Sequence, residues 1–506
     1  MMITADQQNA PTAAADKQVT VAASDKLRLR EKIGYACQDG SLELYLQFMS
    51  LYLLVFYTNV VGIPPALAGT LMLICTIWNA INDPLVGLLV DNHRFKNGEK
   101  IRPLLKWATI PTALFVIILF WMPELEATQA FVYALVVYCV MDSFATFLGV
   151  PYVSLPSVLT SNPNERVSLS TFAAIGAGLG PLVASAFSVL LMRAFGGVDA
   201  VGNVLDQRAG FRGTVIVVMV VFAVCQFVMY AVARERVRPQ EAHRERIGLF
   251  RAFKILLTER NFMAITGYNL FYSFALTASL TTVVYYSNYI LLRPGGEGIL
   301  APILIGVALL VLPCVRLVNR LAARRGVLIT ASIAMLVSKI PLFFAPDSFL
   351  AAGVTAALIG VAMGFTVVGI NTNLNESIEI AEWRKGYRLE GSVNALRGLI
   401  LKGAQALLAF VLGMAMQAAG YLAPSAEVLQ PVQNEATQLV FLSFFAYFPT
   451  VMAVGMLILA LLSPTDRDAA TMRAAKATAA ESGAGIAGIS GAAAAEPLAA
   501  ASPDGV

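Results

Sequence analysis

Apolar residues along the chain come in long runs rather than in alternation. Twelve stretches, at 35–61, 66–91, 103–121, 130–157, 168–193, 213–233, 262–292, 300–321, 327–345, 350–371, 393–420 and 437–462, consist mostly of hydrocarbon side chains. Each matches or exceeds the length of about 20 residues that a helix rising about 1.5 Å per residue needs to cross a bilayer. The most charged stretch, 234–261, divides the runs six from six. The pattern therefore predicts an all-α membrane protein with twelve transmembrane helices in two six-helix bundles, at 32–233 and 262–463. A polar segment, 1–31, precedes them, and 464–506 follows. The last segment is rich in Ala, Gly and Ser and short of large apolar side chains, so it is expected to stay loose, with helix locally possible around Thr471 to Ala480.

Composition agrees with the pattern. Hydrophobic residues make up 58% of the 506 and charged residues only 13%, and mean hydropathy is +0.70, which excludes an ordinary soluble domain. The first 31 residues have no short apolar core followed by a small-residue cleavage site, so the first membrane helix is expected to act as its own insertion signal. The net charge of +4 is modest and spread over loops, which gives no reason to expect a nucleic-acid partner. Lys and Arg gather before the first run, at Arg94, Lys96, Lys100, Arg102 and Lys106, in the central loop, at Arg316, Arg320, Arg324 and Arg325, and at Arg384, Lys385 and Arg388. All these positions fall on one side of the predicted topology, which puts both termini in the cytoplasm of a multi-pass plasma (inner) membrane protein. Arg193, Arg208 and Arg212 on the other side dilute the contrast.

Cys37, Cys75, Cys139, Cys225 and Cys314 stand alone in or beside apolar runs, and His93 and His243 fall in charged loops. Neither set has the spacing of a metal or redox site, and no nucleophile and base share a depth, so an enzyme is not expected. The informative residues are the ionisable ones inside the runs: Glu43, Asp83, Asp142, Lys339 and Lys402. Charges at membrane depth are costly and normally face a partner or a wet cavity. From the predicted ends, Glu43, Asp83 and Lys402 each lie about 12 Å in, on one level. Residues three or four apart share a helix face, so Glu43, Gln47 and Ser50 form one polar stripe, Asn79, Asp83 and Gly87 another, and Lys402 with Gln405 a third. Pro84 withdraws a backbone donor beside Asp83 and leaves carbonyl oxygen that only protein or water can satisfy. The stretch WNAINDPLVGLLVD, 78–91, thus predicts an oxygen-rich niche for a proton or a small cation. Lys339 is expected to snorkel towards an interface.

The motifs resemble those of the glycoside–pentoside–hexuronide:cation symporters, the melibiose-permease-like branch of the major facilitator superfamily. The resemblance rests on Lys32-Ile33-Gly34-Tyr35 leading to Phe56-Tyr57-Thr58-Asn59, on IWNAINDPLVGLLVD at 77–91, on VPYVSLPSVLT at 150–160 with Glu165 and Arg166, and on EWRKGYRLEG at 382–391 before Lys402. It implies a central sugar cavity and alternating access driven by a cation gradient. Asp83 corresponds to the family's cation-site acid, Glu43 to its acidic sugar ligand and Lys402 to the lysine near the cation site. Asn79 stands where sodium-coupled members often have aspartate, and Gly149 where a sugar-binding acid or amide is expected; Asp142, two turns from Gly149 on the same face, is a candidate replacement.

These departures favour H+ over Na+ as coupling ion, since loss of an anionic ligand weakens a sodium site more than it weakens protonation of Asp83. Gln47, Tyr152 and Asn371 are further candidates for sugar hydroxyls, and Asp91, Arg94, Glu382 and Arg388 for cytoplasmic gate contacts. No cofactor is implied, and a monomer is expected. A lipid or lysolipid carrier on the same scaffold is the alternative; it would prefer an apolar lining.

Overall fold

The computed structural model describes residues 26–92, 95, 99, 101–236, 258–321, 324–385, 390–425 and 428–481. Twelve long helices are present among the described residues: α1 (Leu29–Val55, continued by a π-turn at Phe56–Val61), α2 (Pro65–Asn92), α3 (Arg102–Phe120), α4 (Ala127–Leu159), α5 (Pro163–Gly196) and α6 (Gln207–Val232) in the first half. The second half holds α7 (Arg260–Tyr289), α8 (Glu297–Leu321), α9 (Arg324–Ser338, continued by Ile340–Phe344), α10 (Phe349–Lys385), α11 (Glu390–Ala418) and α12 (Glu435–Leu442, a π-turn at Ser443–Tyr447, then Phe448–Leu462). Eleven of these are both long and apolar enough to span a membrane. The remaining one, α7, has 30 residues but carries hydroxyls and amides such as Asn269, Ser273, Thr277 and Ser279, all of them buried among its neighbours.

Helix ends extend past the apolar runs because backbone hydrogen bonding continues into polar sequence. The clearest case is α10, which runs on from the expected end at 371 to Lys385. Starts are set by side-chain caps: Asn162 accepts from the Asn164 N–H, Asp206 from the Ala209 N–H and Asn434 from the Thr437 N–H.

Within the first half, α1 and α5 approach backbone to backbone. A Cβ added at Gly180 would lie 2.1 Å from the Gly40 carbonyl oxygen, and one at Gly176 equally close to that of Ala36. Only glycine allows this approach, the small-residue packing that membrane helices use in place of hydrophobic drive. Between the halves, α2 meets α11 in the same manner: a Cβ at Gly413 would lie 2.2 Å from the Pro65 carbonyl oxygen. This contact sits at the start of α2, and towards its other end the two helices are joined by long side chains.

The halves are also locked together at the end of the molecule away from Leu29. There the π-turn of α1 presents Thr58 and Asn59 to the second half. The Thr58 hydroxyl bonds the Tyr285 hydroxyl at 2.9 Å, Asn59 Oδ1 accepts from the Tyr421 hydroxyl at 2.8 Å, and Arg193 donates to the Pro294 carbonyl at 2.8 Å. At the Leu29 end the described ion pairs stay within one half: Lys32 with Glu165, Arg236 with Glu31, and Arg384 with Glu259 and Asp468. One end is therefore closed between the halves; at the other the described ion pairs near the helix ends stay inside each half, and the Lys402–Asp83 pair joins the halves deeper in.

Two expectations are corrected. Lys339 does not reach an interface; it is fully buried at the break in α9, where it donates to Ser279 Oγ at 2.9 Å and to the Phe445 carbonyl at 2.7 Å. That carbonyl lies in the π-turn of α12, and the ammonium also lies over the Phe445 ring. The segment after 463 is not loose throughout, since Thr465–Glu481 forms a helix, α13, packed under the second half. Asp468 accepts from Asn261 at 2.6 Å and pairs with Arg384 at 2.8 Å, Arg473 pairs with Glu376 at 2.7 Å, and Met472 packs with Ile380 and Trp383. Residues 482–506 lie outside the described residues.

Candidate transport site

A cavity of about 610 Å³ opens between α1, α2 and α4 of the first half and α11 of the second. Asn79, Asp83, Asp142, Thr146, Gly149, Lys402 and Gln405 all line it. The helical repeat explains the α4 contribution, because Tyr138, Asp142, Gly149 and the residues a turn from them share one face.

Lys402 crosses from α11 to α2. Its ammonium lies 2.7 Å from Asp83 Oδ2 and also donates to Asn79 Oδ1. The amide of Asn79 then donates to Asp142 Oδ1 at 2.5 Å, and Thr146 donates to Asp83 Oδ1 at 3.1 Å. Asn82 closes the network, donating to Thr146 at 2.9 Å and lying 3.5 Å from Asp142 Oδ2. Asn79 is the hub: its carbonyl serves the ammonium while its NH₂ serves a carboxylate. An aspartate could do only the first, having no donor for Asp142 when ionised.

The side chains of Asp83 and Lys402 are 43% and 45% exposed, so cavity water reaches both members of the pair. A small cation entering here would find oxygens of Asp83, Asp142, Asn79 and Thr146, with the Lys402 ammonium already among them. Gly149 leaves the cavity wall open, since a Cβ added there meets nothing within 4 Å.

The structure brings together Asp83, Asn79, Lys402, Asp142 and Gly149 but leaves other candidates aside. Glu43 and Gln47 do not line the cavity; Leu42, Tyr45, Leu46 and Met49 take that face of α1. The glycine contact with α5 fixes the rotation of α1, and successive residues turn by about 100°, so Glu43 stands on the neighbouring face. Gln47 is half-buried there, with its Nε2 unpartnered. Asn371 is exposed on α10 and outside the cavity, because the α10 face that packs inward carries Ile370, Asn373 and Leu374. Glu382 is half-buried and forms no ion pair among the described residues, while Arg384 beside it binds Glu259 and Asp468 of its own half instead of a gate partner. The side chains of Tyr152 and Asp91, and residues Arg94 and Arg388, lie outside the described residues. Thr146 and Asn82 were not anticipated. Thr146 follows Asp142 by one turn, which is the signal that would have found it.

Comparison with known proteins gives this geometry a family. The model of the MFS/sugar transport protein family matches residues 34–467. The chain belongs to that family. It is 26% identical over 435 residues to the isoprimeverose transporter of Lactiplantibacillus pentosus, covering 85% of this chain and 88% of that protein. It is 32% identical over 211 residues to the putative glycoside/cation symporter YagG of Escherichia coli K12, covering 42% and 44% of the two chains. Among solved structures, a bacterial homologue of the human lysosomal transporter Spinster, in an inward-facing and unoccupied conformation, superposes with a TM-score of 0.61 over 88% of this chain and 97% of that one. At 12% identity that likeness concerns the fold alone. The protein is thus a multi-pass membrane transporter with the major facilitator fold, not an enzyme.

Proposed function

We propose that this chain is a proton-coupled symporter of a neutral sugar or glycoside, working by alternating access with both termini in the cytoplasm. The observation that carries the reading is the Asp83–Lys402 ion pair, which ties α2 of one half to α11 of the other at the edge of a solvated cavity. Protonation of Asp83 removes the charge that holds Lys402. The pair then no longer favours the arrangement in which these helices are bridged, and the balance between inward- and outward-open states shifts. A sugar with higher affinity for the favoured state completes the coupling.

Protons are preferred over sodium because the amide NH₂ of Asn79 and the Lys402 ammonium already occupy positions from which a cation would draw its oxygens. The relatives that carry sugar or glycoside names support the substrate class. With termini inside, the closed end faces outward and the structure is inward-facing.

Uptake of a sugar panel into vesicles, with proton and sodium gradients imposed separately, tests the proposal. Accumulation driven by the pH gradient without sodium is the expected result; accumulation that follows sodium alone rejects the coupling ion. A second reading, an amphiphile carrier, draws on the apolar groove of about 370 Å³ formed by Leu89, Phe95, Leu104, Trp107, Phe144 and Phe147. Inhibition of uptake by free sugars separates the two, since an amphiphile carrier would be indifferent to them.

A further inference from the structure

At the closed end a second cavity of about 90 Å³ lies between the halves. It shares no lining residue with the first, and one turn of α1, from Met49 to Tyr52, separates the two linings. The walls come from α1, α5 and α6 on one side and from α7 and the start of α8 on the other.

Three of its lining side chains hold buried polar atoms with no partner among the described residues: the Tyr52 hydroxyl, Asn288 Oδ1 and Glu297 Oε2. Tyr52 is 1% exposed and Glu297 5%. Buried polar groups are nearly always hydrogen-bonded, so three unpartnered atoms around one cavity mark a place that something polar fills.

The atoms define what that is. Two of them only accept, unless Glu297 is protonated, and the tyrosine hydroxyl does either, so the occupant must donate at least two hydrogen bonds. A cation would meet the guanidinium of Arg193, which lines the same cavity while donating to the carbonyls of Gly202 and Pro294. An anion would meet the acceptors Glu297 and Asn288. A neutral molecule with several hydroxyls satisfies all three, and the rings of Tyr52, Phe211 and Tyr289 offer it apolar faces of the kind sugar pockets use.

We propose that this chamber is an outer binding station for the transported sugar, occupied before the Thr58–Tyr285 and Asn59–Tyr421 contacts let it through. The inference rests on the reading above, that the chain imports a hydroxylated substrate with its termini inside.

The test is a cycle between side chains and substrate hydroxyls. Initial influx of the transported sugar and its monodeoxy analogues is measured for the wild type and for Tyr52→Phe, Asn288→Ala and Glu297→Gln. At least one hydroxyl whose removal lowers wild-type kcat/KM about tenfold should cost the matching variant nothing further. If every analogue falls by the same factor in wild type and variants, the chamber holds only water and the inference is overturned. Should Glu297→Gln fail to reach the membrane, Tyr52→Phe, which removes a single buried hydroxyl without changing shape, decides. A wild type that imports no sugar removes the functional reading and this one with it; sugar import in which the side-chain and hydroxyl effects simply add removes this one alone.

Discussion

Replacing Asp83 by Asn separates the energetic role of the Lys402 pair from its structural one. Asn is nearly isosteric, can still accept from Thr146 and leaves Lys402 bonded to Asn79. Because both members of the pair are more than two-fifths exposed to the cavity, its contribution to stability is that of a screened ion pair, about 0–1 kcal/mol. The thermal midpoint of the purified variant should therefore stay close to wild type. Coupling should not survive. Moving one charge with each sugar down about 100 mV is worth about 2.3 kcal/mol, or roughly 50-fold accumulation. In vesicles holding that potential the variant should equilibrate its sugar without concentrating it, while exchange across the membrane persists. Accumulation at the wild-type ratio would refute the assignment of Asp83, and a large loss of thermal stability would show that the pair is chiefly a structural clamp.

Three further outcomes follow from the geometry. Asn79→Asp would set a carboxylate at hydrogen-bonding distance from Asp142, where like charges need a cation between them; sodium-stimulated uptake at constant pH should appear, and its absence would count against the Asn79 argument. Lys339→Ala removes the ammonium that donates to the buried Phe445 carbonyl, while Ser279 keeps its bond to the Ala275 carbonyl, so stability should fall by about 1–3 kcal/mol in thermal melts. Gly180→Val drives a side chain into the Gly40 carbonyl across α1 and α5, at a cost of about 1–3 kcal/mol or more, and should be seen as loss of monodisperse protein on size exclusion.

The twelve membrane helices are legible in the sequence because their signal is the local one of long apolar runs. What hydropathy misses is the polar continuation of a helix: α10 past 371 and α13 after 463 contain charges at nearly every turn yet fold because Arg384, Asp468, Glu376 and Arg473 pair across them. Depth along a helix was equally readable, since rise per residue is constant, and it brought Asp83 and Lys402 to one level. Rotation about the helix axis was not. Glu43 has the right depth and the wrong face, because the α1–α5 glycine contact sets the rotation and nothing within the α1 stripe reveals it. For Lys339, its carbonyl partner belongs to a π-turn more than a hundred residues later, and no local pattern announces that turn.

The placement of α13 bears on how the protein is made. Asn261 and Arg384 emerge from the ribosome well before Asp468, their shared partner, and so does Arg325, whose backbone N–H bonds Asp466. The second bundle therefore gains the Asn261–Asp468, Arg384–Asp468 and Arg325–Asp466 links only once α13 has been made. A chain cut after Ser463 would thus keep all twelve long helices but lose the strap that joins α7, α9 and α10 at that end.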